Sequence, residues 1–137
     1  MPVKRPQGNS LVLAVLRSPA HRLLSGMALE LRYTGRRSGR QYMLPVQYAR
    51  EGERLVVVPQ DAESKTWWRN FLTPQSVSVR LTGRLCEATA QVIRPGDPAW
   101  EEDRRLYESR WRRLAGRVAG PIVEITIRAE SPPSRGW

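Results

Sequence analysis

The residues of this sequence best suited to chemistry are Arg36, Arg37 and Ser38, set between Gly35 and Gly39 in the stretch YTGRRSGRQYMLPVQY. Two guanidiniums offer charged forks to phosphate or carboxylate oxygens, and Ser38 adds a hydroxyl. The flanking glycines permit positive-φ backbone and close approach, so the consecutive amides of the turn are expected to form an anion-binding concavity. Pro45 follows in a run that otherwise reads as strand, which predicts a strand edge or a bulge with backbone open to a ligand. A second group, KTWWRNFL, sets Lys65, Thr66, Trp67 and Asn70 on a short helix where aromatic bulk and charge meet.

Other chemistry has little support. Cys86 and His21 are single and unaccompanied, and no carboxylate pair or metal-ligand spacing stands out, so neither a catalytic residue nor a metal site is assigned. Cys86 reads as a small apolar strand residue, excludes an internal disulfide and fits a reducing cytoplasm. His21 reads as a helix-surface residue beside Arg22. The net charge of +10 invites nucleic-acid binding, but the 23 basic residues are spread along the chain and aromatic content is only 7%. With no zinc-finger spacing or aromatic RNA-binding strand, a basic pocket for a small polyanion explains the charge as well.

The elements that must position these groups follow from pattern. The 137 residues suffice for one domain, expected over residues 10–129, with a flexible segment at 1–9 and a disordered tail at 130–137. Asn9 or Ser10 can cap a first helix and Ser18-Pro19 a second that Gly26 stops, together a lid or brace. No secretory or membrane-spanning pattern is present, so a soluble cytoplasmic protein is expected; residues 11–27 are also apolar enough to rest on a membrane surface. From Met27 the pattern alternates with period two. Residues 28–33 and 42–48 form a hairpin about the basic turn, 55–58 read as a strand covered on both faces, and 77–81, 85–93 and 122–127 complete six strands. Asp97-Pro98 starts a helix whose apolar side carries Leu106, Tyr107, Trp111 and Leu114. The fold class is mainly β (α+β): a six-stranded antiparallel barrel with helices packed outside, and a groove lined by the basic turn and the Lys65 helix.

TGRRSG, a proline six residues beyond Gly39, and WWRN after one strand and loop together resemble the deazaflavin-dependent nitroreductase family, over about residues 18–127. That family is a branch of the FMN-binding split β-barrels. The resemblance implies coenzyme F420, a deazaflavin with a phosphate and an acidic polyglutamate tail, and hydride transfer to an electron-poor acceptor such as a quinone or nitro compound. It implies that Arg36, Arg37 and Ser38 hold the phosphate and acidic tail, that Leu44, Pro45 and Val46 lie beside the ring, and that Thr66, Trp67 and Asn70 close over the cofactor. Where relatives carry serine and lysine after the third strand, this chain has Pro59-Gln60-Asp61, leaving Lys65 as the nearby cation. Tyr107 and Trp111 are the substrate-side candidates, with helix packing as their alternative role. FMN as cofactor, or a non-catalytic binder of a flavin-like or lipid-like ligand, are the competing readings. Barrel edges and the apolar N-terminal helices suggest a homodimer.

Overall fold

The computed structural model of the chain describes residues 27–130. The two N-terminal helices, His21, residues 11–26 of the surface segment and residues 131–137 of the expected C-terminal tail lie outside the described residues. Alternating side chains from Ala28 onward build β1 (Ala28–Thr34), β2 (Gln41–Gln47), β3 (Ala49–Glu51), β4 (Arg54–Val57), β5 (Gln75–Leu81), β6 (Arg84–Ile93) and β7 (Ile122–Glu130). All neighbours pair antiparallel in one sheet of order β2-β1-β5-β6-β7-β4-β3.

The strand count is seven rather than the expected six. The chain changes partner at Tyr48: β2 pairs with β1 up to Gln47, whereas Ala49–Glu51 pairs with β4 through a turn in which Gly52 takes φ +60. One residue therefore separates the two outermost strands of the sheet. A flat seven-stranded sheet would hold these edges some 30 Å apart at about 4.8 Å per strand. The sheet is consequently curled into a barrel-like form, with its edges brought together at Tyr48.

Two apolar layers stabilise this shape. Inward-facing Leu29, Leu31, Leu55, Val57, Val79, Ala88, Ala90 and Ile125 fill the curl together with Phe71. On the outer face, Val56 and Ile122 pack with Trp100 and Tyr107 of α1 (Pro98–Arg110). β4 is thus covered on both faces, as its apolar run predicts, although it lies next to an edge strand. α1 starts as its sequence dictates: the Asp97 side chain accepts from the Ala99 amide, with Pro98 at the first helical position. KTWWRNFL forms the short helix expected of it as a five-residue 3-10 helix, Trp67–Phe71. Pro74 and the start of β5 leave it no room to lengthen, and Trp68 anchors it by donating to the Ala62 carbonyl at 2.9 Å. Pro45 sits opposite Glu30 in regular register on the edge strand β2, so the edge alternative holds and no bulge is needed. Cys86 is buried in the barrel interior. Among the described residues, no helix is long and apolar enough to cross a membrane.

Candidate functional site

The β1–β2 turn and the 3-10 helix form the two walls of a cleft of about 380 Å³. The turn is closed by its own backbone. The Gly35 amide donates to the Arg40 carbonyl at 2.8 Å, the Gly39 amide to the Gly35 carbonyl at 2.9 Å, and the Arg40 amide to Ser38 Oγ at 3.1 Å. Gly39 takes φ +71, which a side chain would resist. Gly35 is required for space instead, because a Cβ there would lie 2.6 Å from the Tyr42 ring.

The opposite wall is tied to this turn by one side chain. Asn70 Oδ1 accepts from the Arg36 amide at 2.8 Å, and its Nδ2 donates to the Trp67 carbonyl at 2.8 Å. The amides of Arg36, Gly39 and Arg40 are committed in this way and are not offered to a ligand. The charged donors left to a ligand are the side chains of Arg36 and Arg37, both exposed, and of Arg69 on the facing helix. No carboxylate pairs with any of these three among the described residues. With no counterpart to their charge among the described residues, the cleft mouth is a place for an external anion.

The cleft base is aromatic. Tyr33 and Tyr42, cross-strand partners, stack with centroids 5.3 Å apart; Phe71 meets Tyr33 edge-on at 5.5 Å and Trp67 at 6.3 Å. Burial, then the neighbouring Tyr42, pushes the Tyr33 phenol up to about 12, so it stays protonated at neutral pH. Tyr42 shares a hydrogen bond with Ser38 across 3.1 Å.

Six of the residues singled out in the sequence, Arg36, Arg37, Ser38, Thr66, Trp67 and Asn70, line this one cleft. Lys65 is exposed just outside the lining. Leu44, Pro45 and Val46 lie further along β2, with Leu44 and Val46 packed on the barrel core. Tyr107 and Trp111 belong to another region. Tyr107 is fully buried, its hydroxyl accepting from Gln47 at 3.0 Å, and Trp111 Nε1 donates to the Tyr48 carbonyl at 2.9 Å. Trp111 also lines a second pocket, of about 640 Å³, that shares no residue with the cleft. Sequence reasoning did not select Tyr33, Gly35, Tyr42 or Arg69 as site residues. The tyrosine pair had a signal, since Tyr33 and Tyr42 flank the basic turn at positions that a hairpin brings opposite each other.

A family model described as F420H(2)-dependent quinone reductase matches residues 17–132. Among solved structures, one described as "Structure of F420-H2 Dependent Reductase (FDR-A)" superposes with a TM-score of 0.59 at 17% identity, covering 72% of this chain and 92% of that one. Another, described as a domain-swapped dimer, gives 0.62 at 16% identity, with 85% and 94% covered. These likenesses establish a shared fold. No curated protein matches the chain.

Proposed function

The chain belongs to the F420H(2)-dependent quinone reductase family, and from that premise we propose that the cleft between the basic turn and the 3-10 helix holds the anionic end of the cofactor. The protein is an F420-dependent oxidoreductase, and F420 rather than FMN is its cofactor. When bound, reduced F420 supplies the hydride that an electron-poor acceptor receives.

The observation that carries the site assignment is the union, in one cleft, of three guanidiniums without carboxylate partners among the described residues and a stacked aromatic floor. A phosphate followed by several carboxylates calls for separate charged forks, which Arg36 and Arg37 on one wall and Arg69 on the other can supply. Asn70 keeps the two walls at a fixed spacing, so little ordering is left to be done on binding. The Arg69 guanidinium is steadied over the Trp68 ring at 5.2 Å.

The cleft is sized for one end of such a molecule. β2 leads away from it: Tyr42 stands at the cleft and Gln47 at the Trp111 pocket, about 17 Å apart at ~3.4 Å per residue. Leu44, Pro45 and Val46 occupy the interval, on the strand that stands at one edge of the described sheet. This supports a course for the flat ring along β2, with the acceptor, a quinone or a nitro compound, meeting it near Trp111. Here the protein's part is to bind, orient and exclude water, with no nucleophile required.

Titrating the purified protein with F420 while following ring fluorescence tests the reading. Saturable micromolar binding that weakens in Arg36→Ala and Arg37→Ala is expected; an unchanged affinity in both variants would remove the cleft assignment. Turnover with a panel of quinones and nitroaromatics then separates an oxidoreductase with these acceptors from a carrier. A cytoplasmic homodimer belongs to the same proposal, supported by the strand edges at β2 and β3 and by the similar fold described as a domain-swapped dimer. Light scattering of the purified chain measures it.

A further inference from the structure

We propose that the Trp111 pocket selects an acceptor carrying an anionic substituent, a carboxylate or sulfonate on a flat aromatic body. The proposal rests on the reading above for the identity of the reaction, and on the pocket itself for the selectivity.

The pocket begins where α1 ends. Trp111 leaves helical geometry with φ −116 and ψ 75, and a short 3-10 turn, Arg112–Leu114, follows. Trp111 and Leu114 supply apolar wall, while Arg110, Arg112 and Arg113 supply three guanidiniums, and among the described residues no aspartate or glutamate lines the space. The Trp111 ring is held rigidly: its Nε1 is committed to the Tyr48 carbonyl, and the Arg110 guanidinium lies 4.1 Å from the ring centroid. A rigid aromatic wall favours a flat occupant at small entropic cost.

The charge is not accounted for by the fold. A cation in the last turn of a helix complements its dipole, which explains Arg110. Arg112 and Arg113 lie beyond that turn, are exposed, and have no carboxylate partner among the described residues. Arg104 on the same helix shows the usual alternative, held between Glu101 at 2.6 Å and Glu108 at 2.8 Å. A neutral quinone entering the pocket would shield the guanidiniums from water and offer them only uncharged carbonyl oxygens, which accept more weakly than an anion does. An anionic substituent would accept their hydrogen bonds.

The test compares 2-methyl-1,4-naphthoquinone with 1,4-naphthoquinone-2-sulfonate, titrated by calorimetry into the full chain without cofactor, so that it does not depend on F420 binding. The sulfonate is expected to bind about tenfold tighter, with the preference falling to near unity in the Arg112→Gln/Arg113→Gln double variant. That variant should keep the melting temperature and F420 affinity of the parent, since neither side chain reaches the cleft or the core. Equal affinity for the two quinones would overturn the proposal. So would a preference that survives the double variant, or one abolished instead by Arg36→Gln/Arg37→Gln. Absence of F420 binding with the sulfonate preference intact would remove the cofactor assignment while leaving the pocket's selectivity standing.

Discussion

The backbone amide of Arg36 donates to Asn70 Oδ1 at 2.8 Å, joining two segments 34 residues apart in the chain. The same carboxamide donates to the Trp67 carbonyl, so one side chain holds the basic turn at a set distance from the 3-10 helix. Asn70 is therefore a strut of the cleft before it is a contact for anything bound there.

Removing the strut should loosen the cleft more than the fold. Asn70→Ala is expected to lower stability by about 1–2 kcal/mol, the worth of two partly exposed hydrogen bonds, and to weaken F420 binding by about tenfold. Asn70→Asp retains the acceptor for the Arg36 amide but adds a negative charge beside the guanidiniums. It should keep more stability than the alanine variant and bind F420 no better. Urea unfolding and fluorescence titration on the two variants separate the contributions.

Arg37→Ala should weaken cofactor binding more than Arg84→Ala. Arg37 lines the cleft, whereas Arg84 stands at the β5–β6 hairpin. Loss of one charge-assisted contact predicts about a tenfold effect for the first and little for the second. Titrations at several salt concentrations provide the check: the salt dependence should shrink in Arg37→Ala only. Equal losses would indicate diffuse surface attraction.

Gly35→Ala should be poorly tolerated although its backbone is unstrained. The added methyl would lie 2.6 Å from Tyr42 Cε2 and 2.8 Å from Ser38 Oγ. Tyr42 would have to leave its stack with Tyr33, at a cost of about 1–3 kcal/mol by analogy with other overpacked sites. A lower unfolding midpoint together with weaker F420 binding is the expected pair of outcomes.

A pH effect is expected from the outer side of the barrel. Asp103 on α1 is fully buried, accepts from Arg54 at 2.8 Å and faces the Glu124 carboxyl on β7; burial, then that carboxyl, pushes it from 3.8 to about 8. Between these values the folded chain keeps a proton that the unfolded chain has released. Stability should accordingly fall as pH rises through this window, by up to about 1.4 kcal/mol per pH unit for one proton. In Asp103→Asn the decline should flatten, as measured by denaturant midpoints across the window.

Period-two alternation determined most of the strands on its own, because a half-buried strand must present apolar side chains to one side only. Asp97-Pro98 set the start of α1, and Gly83, with φ +82, set the β5–β6 hairpin, for equally local reasons. The sequence also exposed the anion-seeking character of Arg36 and Arg37, since adjacent guanidiniums between glycines carry their chemistry wherever they are placed. Tertiary structure alone decided what stands opposite them. The change of partner at Tyr48 curls the sheet and brings its edges together; the Gly52 turn is a local signal for pairing β3 with β4, but no local pattern encodes that β4 joins β7 on its other side. Long-range packing likewise turned Tyr107 into a buried core residue and left Trp111 at a separate pocket, although both read alike on a helix. The Arg36 amide of the turn was also settled by the fold, through a side chain 34 residues away. In the folded cleft the Arg36 and Arg37 side chains stay available to a ligand, as the sequence suggested, while the Arg36 amide, also suggested, is taken by Asn70.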